Sequence, residues 1–318
     1  MSIPLFLEGV MQDKIWGGEK LKEIFGYDAP TNTIGEYWAI SAHKNGESII
    51  KNGELKGKKL SEVWKEHPNL FGNPKEKVFP LLTKILDAKN DLSVQVHPDD
   101  EYSLRVEGEL GKTECWYIID AEENAEIIYG HHAQTKEQLA KWIQSGDWDH
   151  LLRRVKVNKG DFYYVPSGTI HAIGSGVMIL ETQQSSDTTY RVYDYDRTDD
   201  KGIKRDLHID KSIEVTTVPH EIPELKNEVE EYSDAKIKTF VSNSFFTVQE
   251  WSINGKHSFT SQAPYTLVSV LEGKGEIIID DQSYEISKGT HFILPNDIKE
   301  WTISGNIQAI CSMAVKVD

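Results

Sequence analysis

The sequence has little cysteine and no long hydrophobic run. Its 318 residues include 2 cysteines, Cys115 and Cys311, and neither belongs to a CxxC or Cys/His pattern. So few cysteines cannot build a disulfide framework, and we expect two reduced, buried thiols. No apolar stretch approaches the roughly 20 residues that a membrane helix needs, and the N-terminus lacks the regions of a signal peptide. We therefore expect a cytoplasmic protein without a membrane partner.

Positively charged residues are also few relative to negatively charged ones. The 35 lysines and arginines are outnumbered by 51 aspartates and glutamates, which gives a formal net charge of -16. This balance disfavours nucleic acid and anionic membranes as partners, so any anionic ligand requires a local basic cluster. Intrinsic disorder is excluded as well, because 38% of the residues are hydrophobic and 10% are aromatic. A chain of this length can hold two packed domains.

Strand-like segments recur along the whole chain, and no long helix separates them. They are short apolar and aromatic runs bounded by Gly, Asp, Asn and Pro, as expected of β-strands. They lie at 78–86, 91–97, 115–120, 161–166, 177–184, 245–253, 266–273, 275–281, 290–295 and 307–315. The pattern predicts a mainly β protein and argues against a doubly wound parallel sheet.

Helical signals are few and clustered. The spacing of apolar residues predicts helices over 60–70 and 135–154, and Gly146 and Asp147 divide the second into two short helices. A third helix is predicted over 208–217. These helices are therefore expected to be insertions in a β protein.

One motif occurs twice. Residues 160–171 have the form Gly-x5-Pro-x-Gly-x2-His, and residues 289–300 repeat its Gly-x5-Pro part. The second copy has Asp297 in place of the later glycine and Glu300 in place of the histidine. We therefore predict that one strand and turn are built twice, with a metal site in the first copy alone. The acidic, proline-containing segment 219–234 is predicted to connect the two halves.

Residues suited to metal binding occur at strand spacing. Side chains at positions i and i+2 of a strand share a face, so Gln95 and His97 point the same way. Lys112 and Glu114 obey the same period, and His171 ends the first motif copy. Two imidazoles, a carboxylate and an amide oxygen can hold iron, manganese or zinc, although a glutamine ligand is unusual for zinc. The donor types predict a metal site without choosing the metal.

The segment 181–197 is too polar for a simple core strand. Three tyrosines and several hydroxyl groups accompany Glu181, Asp187, Arg191 and Arg197. Hydroxyl and carboxylate groups suit sugar oxygens, and guanidinium groups suit a phosphate or a developing oxyanion. We interpret the segment as a polyol and anion site, and a solvated, aromatic edge strand is the alternative.

An ordered series of motifs resembles one family. The motifs are IWGG at 15–18, GEYWAISAH at 35–43, LSVQVHPDD at 92–100, GKTECW at 111–116, VPSGTIHA at 165–172 and ETQQSSDTTYRVYD at 181–194. The glycine, proline and histidine pattern at 160–171 resembles the cupin superfamily. The whole series resembles, more narrowly, the type I mannose-6-phosphate isomerases of the short bacterial kind.

The resemblance implies a fold and a metal. It implies two cupin-like β jelly rolls with a small helical insertion, divided into a metal-binding catalytic domain at 1–232 and a C-terminal domain without metal ligands at 233–318. It also implies one zinc ion per chain on four ligands: Gln95, His97, Glu114 and His171. Longer members of the family carry a larger helical domain, which this chain can hold only in reduced form at 98–110 and 134–154.

The resemblance further implies the interconversion of mannose 6-phosphate and fructose 6-phosphate, so the partner is a small sugar phosphate. The reaction moves a proton between neighbouring carbons through an enediolate, which needs a base and a cation. Arg191 is implied as a catalytic residue that stabilises the developing charge. Lys112 and Glu181 are competing candidates for the base.

Substrate contacts and other functions stay open at this stage. Ser93 and Asp187 match positions that line the family's pocket, and Arg197, Lys112 and Lys84 are candidates to attract the phosphate. A cupin oxygenase that binds Fe(II) on the two histidines and the glutamate is one alternative function. A non-catalytic sugar-binding cupin is the other. The glutamine ligand and the polar segment 181–197 argue against the oxygenase, and the oligomeric state is not specified by the sequence.

Overall fold

The fold is mainly β, as predicted. A computed structural model describes residues 3–199 and 201–314 of the chain. Every strand pairing within these residues is antiparallel, in agreement with the lack of long helices between strands. Among the described helices, none combines the length and the apolar character that crossing a membrane requires. Cys115 and Cys311 are free and buried, which confirms the expectation for both thiols.

The elements are short in the first part of the chain and long near its end. Strands β1 to β11 are Leu5–Glu8, Val10–Gly18, Ile34–Ile40, Ala42–His43, Gly46–Glu47, Ile49–Ile50, Leu81–Ala88, Val94–Val96, Glu114–Ala121, Glu126–His131 and Leu152–Lys156. Strands β12 to β22 are Phe162–Val165, His171–Ile173, Val177–Gln184, Tyr190–Tyr193, Glu228–Glu231, Ala235–Ser242, Phe246–Thr260, Thr266–Ile279, Gln282–Ser287, His291–Leu294 and Glu300–Ala314. Helices α1 to α6 are Lys20–Phe25, Leu60–Glu66, Asp100–Val106, Lys136–Ser145, Trp148–Leu151 and Ile209–Val215, with a 3-10 helix at Pro68–Phe71.

Two sheets pack face to face in the first part of the chain. One has the strand order β12-β9-β14-β7-β3-β2 and the other has the order β11-β10-β13-β8-β15. Trp116 and Ile179 of the first sheet share one buried cluster with Ile127 and Ile173 of the second. This burial of apolar faces holds the sheets together. The candidate ligands project into the space between them.

The C-terminal half forms a larger sheet that also recruits N-terminal strands. Its order is β16-β17-β18-β22-β19-β21-β1-β6, with β20 beside β19. In β1, Leu5 lies opposite Ile293 of β21. Strands β18 and β22 pair along 15 residues each, from Phe246 opposite Ala314 to Thr260 opposite Glu300. The pairing of β1 joins the start of the chain to its last sheet.

The predicted helices are present, with changed ends. Residues 60–70 form α2 and then the 3-10 helix, because Pro68 lacks an N–H and its ring ends the first helix. Thr135 caps α4 by accepting the backbone N–H of Gln138, and Gly146 ends it in the left-handed region. The prediction of helix over 152–154 is wrong, since these residues pair with β10 as part of β11. Helix α6 lies within the predicted 208–217.

The ends of the strands differ from the predicted ends more than the positions of the strands along the chain do. The segments 266–273 and 275–281 were expected as two strands, and the structure has one strand, β19, across both glycines. A Cβ at Gly305 would lie 2.6 Å from the Cα of Gly275, so glycines here allow the long strands to approach closely. Strands β2 and β3, at one edge of the six-stranded sheet, are not indicated by the sequence patterns.

Candidate active site

Four predicted metal ligands lie together between the two N-terminal sheets. Gln95 of β8 faces His171 of β13 across the register, and the amide Nε2 is 3.3 Å from the imidazole Nε2. His97 follows β8, and Glu114 begins β9 of the opposite sheet. One donor atom each from His97, Glu114 and His171 lies within 4.8 Å of the others, and all three side chains are buried. Strand alternation and the tight turn together bring the donors to one point.

Backbone carbonyls orient both imidazoles. The Nδ1 of His97 is 2.9 Å from the carbonyl oxygen of Thr188, and the Nδ1 of His171 is 2.8 Å from that of Thr169. A carbonyl only accepts, so each Nδ1 carries the proton and each Nε2 presents a lone pair. Burial lowers the pKa of His171 to about 4, and burial followed by repulsion from a lysine holds the pKa of His97 well below its usual range. Both rings are therefore neutral near pH 7, the form that binds metals.

The ammonium group of Lys112 lies among these donors. Its Nζ is 2.5 Å from Oε2 of Glu114 and 3.2 Å from Nε2 of His97. Burial alone lowers the pKa of Lys112, but the carboxylates of Glu114 and Glu181 outweigh burial and raise this pKa above its ordinary value. The donors thus already stabilise a positive charge. Two neutral imidazoles and one carboxylate beside an amide also fit a divalent cation.

A shared indole links two carboxylates at the floor of the site. Trp116 is buried, and its Nε1–H donates to Oε1 of Glu114 and to Oε2 of Glu181 at 3.0 Å each. Glu181 lies on β14 opposite Lys84 of β7. Burial, reinforced by the charge of Glu114, raises the pKa of Glu181. A carboxyl group with a raised pKa takes up a proton more readily, as a group that exchanges a proton with a substrate must.

Glu36 is a further buried acid that sequence reasoning missed. Its carboxylate accepts the indole N–H of Trp38 at 2.6 Å and lies 3.4 Å from Lys14 and 3.7 Å from Lys84. Burial raises the pKa of Glu36, but the two lysines lower it to about 2, so this acid stays ionised. The missed signal is a Glu-x-Trp pattern, which occurs at 36–38 and again at 114–116. Strand alternation puts both residues of each pattern on one face.

Three arginines from one stretch of chain lie in different surroundings. Arg191 of β15 is opposite Gln95, its Nη1 donates to the carbonyl oxygen of Asp206 at 2.8 Å, and its Nε is buried without a partner among the described residues. Arg205 makes two hydrogen bonds to Asp194, at 2.8 and 2.6 Å. Arg197 shares that carboxylate at 2.9 Å. Sequence reasoning missed Arg205, because this residue lies beyond the polar segment 181–197.

A cavity of about 300 Å³ connects these groups. Six of the predicted site residues line it: Ser93, Gln95, Lys112, Glu181, Asp187 and Arg191. Arg205, Lys84 and Lys14 line it as well, whereas Arg197 does not. Asp187 is exposed and accepts the side-chain amide of Asn45 at 2.8 Å. The cavity is therefore highly charged, with metal-binding donors buried beside it.

Comparison with known proteins identifies the family. Residues 5–127 match the family described as phosphomannose isomerase type I, catalytic domain, and residues 236–314 match the mannose-6-phosphate isomerase, cupin domain. The chain is 57% identical to a mannose-6-phosphate isomerase of Streptococcus mutans over 98% of both chains. This chain belongs to the type I mannose-6-phosphate isomerase family. The resemblance seen in the sequence motifs is confirmed, and so is the prediction that the chain is an enzyme of this family.

Further relatives are similar to this chain in sequence or in fold. A probable mannose-6-phosphate isomerase of Bacillus subtilis, GmuF, is 54% identical and covers 98% of this chain and 99% of its own. The crystal structure of a mannose 6-phosphate isomerase from Bacillus subtilis is 51% identical, with a TM-score of 0.96 over 98% of this chain and 99% of that one. An Archaeoglobus fulgidus structure at 18% identity has a TM-score of 0.77 over the full length of both chains, which extends the likeness of fold alone. The cupin fold is thereby confirmed.

Proposed function

We propose that this chain is a zinc-dependent isomerase that interconverts mannose 6-phosphate and fructose 6-phosphate through an enediolate. The observation that carries the proposal is a buried cluster of metal donors beside a charged cavity, in a chain of this family. The cavity offers a carboxyl group with a raised pKa, that of Glu181, next to the donors. It also offers the guanidinium group of Arg191. A proton shift between carbons needs both kinds of group.

Zinc is the proposed metal, one ion per chain, on Gln95, His97, Glu114 and His171. A bound divalent cation would polarise the substrate carbonyl and offset the charge of the glutamate. Neutral imidazoles with fixed tautomers support this assignment, and the reaction needs no redox change.

Glu181 is the proposed base, and Lys112 its neighbour in proton transfer. Glu181 lines the cavity and its Oε1 is 3.7 Å from Nζ of Lys112. Burial is outweighed by Glu114 and Glu181, which raise the pKa of Lys112, so this side chain stays an ammonium group and has no lone pair for a substrate proton. Lys112 instead stabilises the ionised form of Glu181 and the oxyanion that forms when the proton leaves.

The remaining predicted residues are assigned to substrate binding. Arg191 is proposed to stabilise the developing enediolate oxygen, and Ser93 and Asp187 are proposed to contact sugar hydroxyls, a role supported by their position in the cavity lining. Arg197 acts on the substrate through the positive charge that it brings to Asp194. Cytoplasmic location stays a prediction of the sequence.

The division into domains at 1–232 and 233–318 is part of the same proposal. The first range contains every proposed site residue, and the second contains the repeated motif. Strands β1, β6 and β16 lie in the first range but pair within the C-terminal sheet. The proposed boundary therefore keeps all the proposed site residues in one domain, but it does not coincide with the boundary between the sheets.

A coupled assay for fructose 6-phosphate formed from mannose 6-phosphate tests the proposal. The parent should lose turnover after chelation and regain it with zinc, and Arg191→Ala should lose roughly 100- to 1,000-fold in kcat while binding one zinc per chain. Oxygen consumption that requires Fe(II), with no fructose 6-phosphate formed, would replace the proposal with the oxygenase. Binding of the sugar phosphate by the zinc-loaded parent without any turnover would replace it with the sugar-binding cupin.

A further inference from the structure

The lysines around the cavity are already balanced by carboxylates. Three lysines face three glutamates across N–O distances of 2.5 to 4.0 Å: Lys14, Lys84 and Lys112 against Glu36, Glu114 and Glu181. Each lysine therefore has its charge offset within the protein. A phosphate placed on this side would compete with buried carboxylates for the same ammonium groups. The lysine side of the cavity is poorly suited to a phosphate dianion.

The arginine side carries an excess of positive charge. Arg205 and Arg197 form salt bridges to a single carboxylate, Asp194. Arg191 makes no salt bridge to a carboxylate within residues 3–199 and 201–314. Asp206 is exposed and contributes its carbonyl oxygen rather than a salt bridge. Among the described residues, the carboxylate of Asp194 thus pairs with two of the three guanidinium groups and no carboxylate pairs with the third, which leaves positive charge on this side for an anion.

Of the two arginines paired with Asp194, Arg205 lines the cavity and Arg197 does not. The Nε and Nη2 of Arg205 donate to Asp194, and its Nη1 makes no hydrogen bond to any other described residue. A guanidinium group held along one edge presents its other edge to a second oxyanion. Its side chain is 27% exposed and lines the cavity, which Arg197 does not. Asp194 thus positions Arg205 with free donors toward the ligand.

We propose that Arg205 binds the phosphate group of the sugar phosphate, and that Asp194 holds its guanidinium group for this purpose. This inference rests on the proposed function, because it names the part of the same cavity that takes the phosphate. Arg197 has a different role, because it pairs with Asp194 and adds positive charge there but does not contact the phosphate. Proton transfer is then assigned to the lysine side, and the arginine side holds the phosphate at Arg205, next to Arg191, which stabilises the enediolate.

Steady-state kinetics of Arg205→Gln with mannose 6-phosphate test the inference. KM should rise on the order of 10- to 100-fold, since a charge-assisted contact to phosphate is lost, while kcat stays within a few-fold of the parent. Inhibition by inorganic phosphate should weaken in parallel, and zinc should remain at one per chain. Arg205→Lys should recover part of the phosphate affinity because it restores the charge but not the planar donors. Arg153→Gln, at an arginine outside the cavity, serves as the control.

Binding measured without turnover keeps this inference separate from the proposed function. Calorimetric titration with inorganic phosphate should show binding to the parent that Arg205→Gln weakens, even if the parent isomerises no sugar phosphate. Phosphate affinity and KM within twofold of the parent values in Arg205→Gln would overturn the inference. A larger loss in Arg197→Gln than in Arg205→Gln would overturn it as well. If Arg205→Gln does not fold, the Arg205→Lys comparison decides the same point.

Discussion

At the scale of single residues, neighbouring groups set the protonation and orientation of the side chains in the site. Carbonyl oxygens set the tautomers of His97 and His171, and burial keeps both rings neutral. The indole N–H of Trp116 bridges two acids by donating to both Glu114 and Glu181. Such partners act on the metal without touching it. Trp116 is therefore a positioning residue, and its effect can be measured.

Replacing Trp116 by Phe should weaken zinc binding about 10-fold or more, because the ligand Glu114 and its neighbour Glu181 lose their shared donor. A competition titration with a chromophoric chelator measures the affinity. Trp251→Phe is the matched control, since the equally buried indole of Trp251 donates at 3.0 Å to Gln249, in the C-terminal sheet. Equal zinc affinity in the parent and Trp116→Phe would contradict the positioning role.

Sequence reasoning reached the candidate ligands and several charged residues of the cavity, and it missed Glu36 and Arg205. Gln95, His97 and Glu114 follow from the two-residue period of a strand, which is a local property. Glu36 and Arg205 enter the cavity only because β3 pairs beside β7 and because the chain returns to Asp194. Those juxtapositions depend on long-range pairing, which a local pattern does not encode.

At the scale of elements, the turn before β13 decides where His171 lies. Gly168 has φ +84°, and a Cβ there would clash with the side chain of Thr217 and lie 3.0 Å from the carbonyl oxygen of Val215. Gly160 begins the same motif with φ +90°, and no atom lies within 4 Å of its Cβ position. The two glycines share a backbone conformation and differ in their surroundings.

Gly168→Ala should therefore lower both the free energy of unfolding, by about 1 to 3 kcal/mol, and the zinc content, because the turn must shift. Gly160→Ala, the control, bears only the backbone strain and should keep one zinc per chain. Denaturant unfolding and metal analysis of the two variants provide the comparison. Full zinc occupancy in Gly168→Ala would show that the turn does not position the ligand.

The ends of an element could be predicted where residues close in sequence set them. They could not be predicted where pairing with a strand distant in sequence sets them. The predicted start of a helix at residue 135 and its break at Gly146 agree with the structure, because the Thr135 cap and the Gly146 stop depend on residues within four positions. Strand β19 continues through two glycines because β22 pairs along its length. The strand ladder overrides the local preference of glycine for a break.

At the scale of the whole molecule, the two halves share one core. A single buried cluster includes Leu5 and Ile85 of the first half and Phe246 and Ile310 of the second. His291 of β21 adds a polar tie, since its Nε2 is 2.7 Å from the hydroxyl of Tyr27 and its Nδ1 is 2.9 Å from Oγ of Ser269. We expect the parent to unfold in one cooperative transition.

Burial lowers the pKa of His291 to about 3, so the ring is neutral in the folded chain. The unfolded chain binds a proton here below about pH 6.5, so this residue's contribution to stability is complete above that pH and is lost as the pH falls toward 3. His291→Gln should flatten the pH dependence of the free energy of unfolding between pH 6 and 4 by up to about 1.4 kcal/mol per pH unit. His132→Gln, at an exposed histidine, is the control. An unchanged slope in His291→Gln would contradict the assignment.

The central claim is that one zinc ion, held by Gln95, His97, Glu114 and His171, is needed for isomerisation. The most direct test is to strip the full-length chain of metal, restore zinc in graded amounts, and measure bound zinc and turnover of mannose 6-phosphate in each sample. Turnover should rise in proportion to bound zinc and stop rising at one ion per chain. Turnover in the metal-free chain, or a maximum at a different stoichiometry, would contradict the claim.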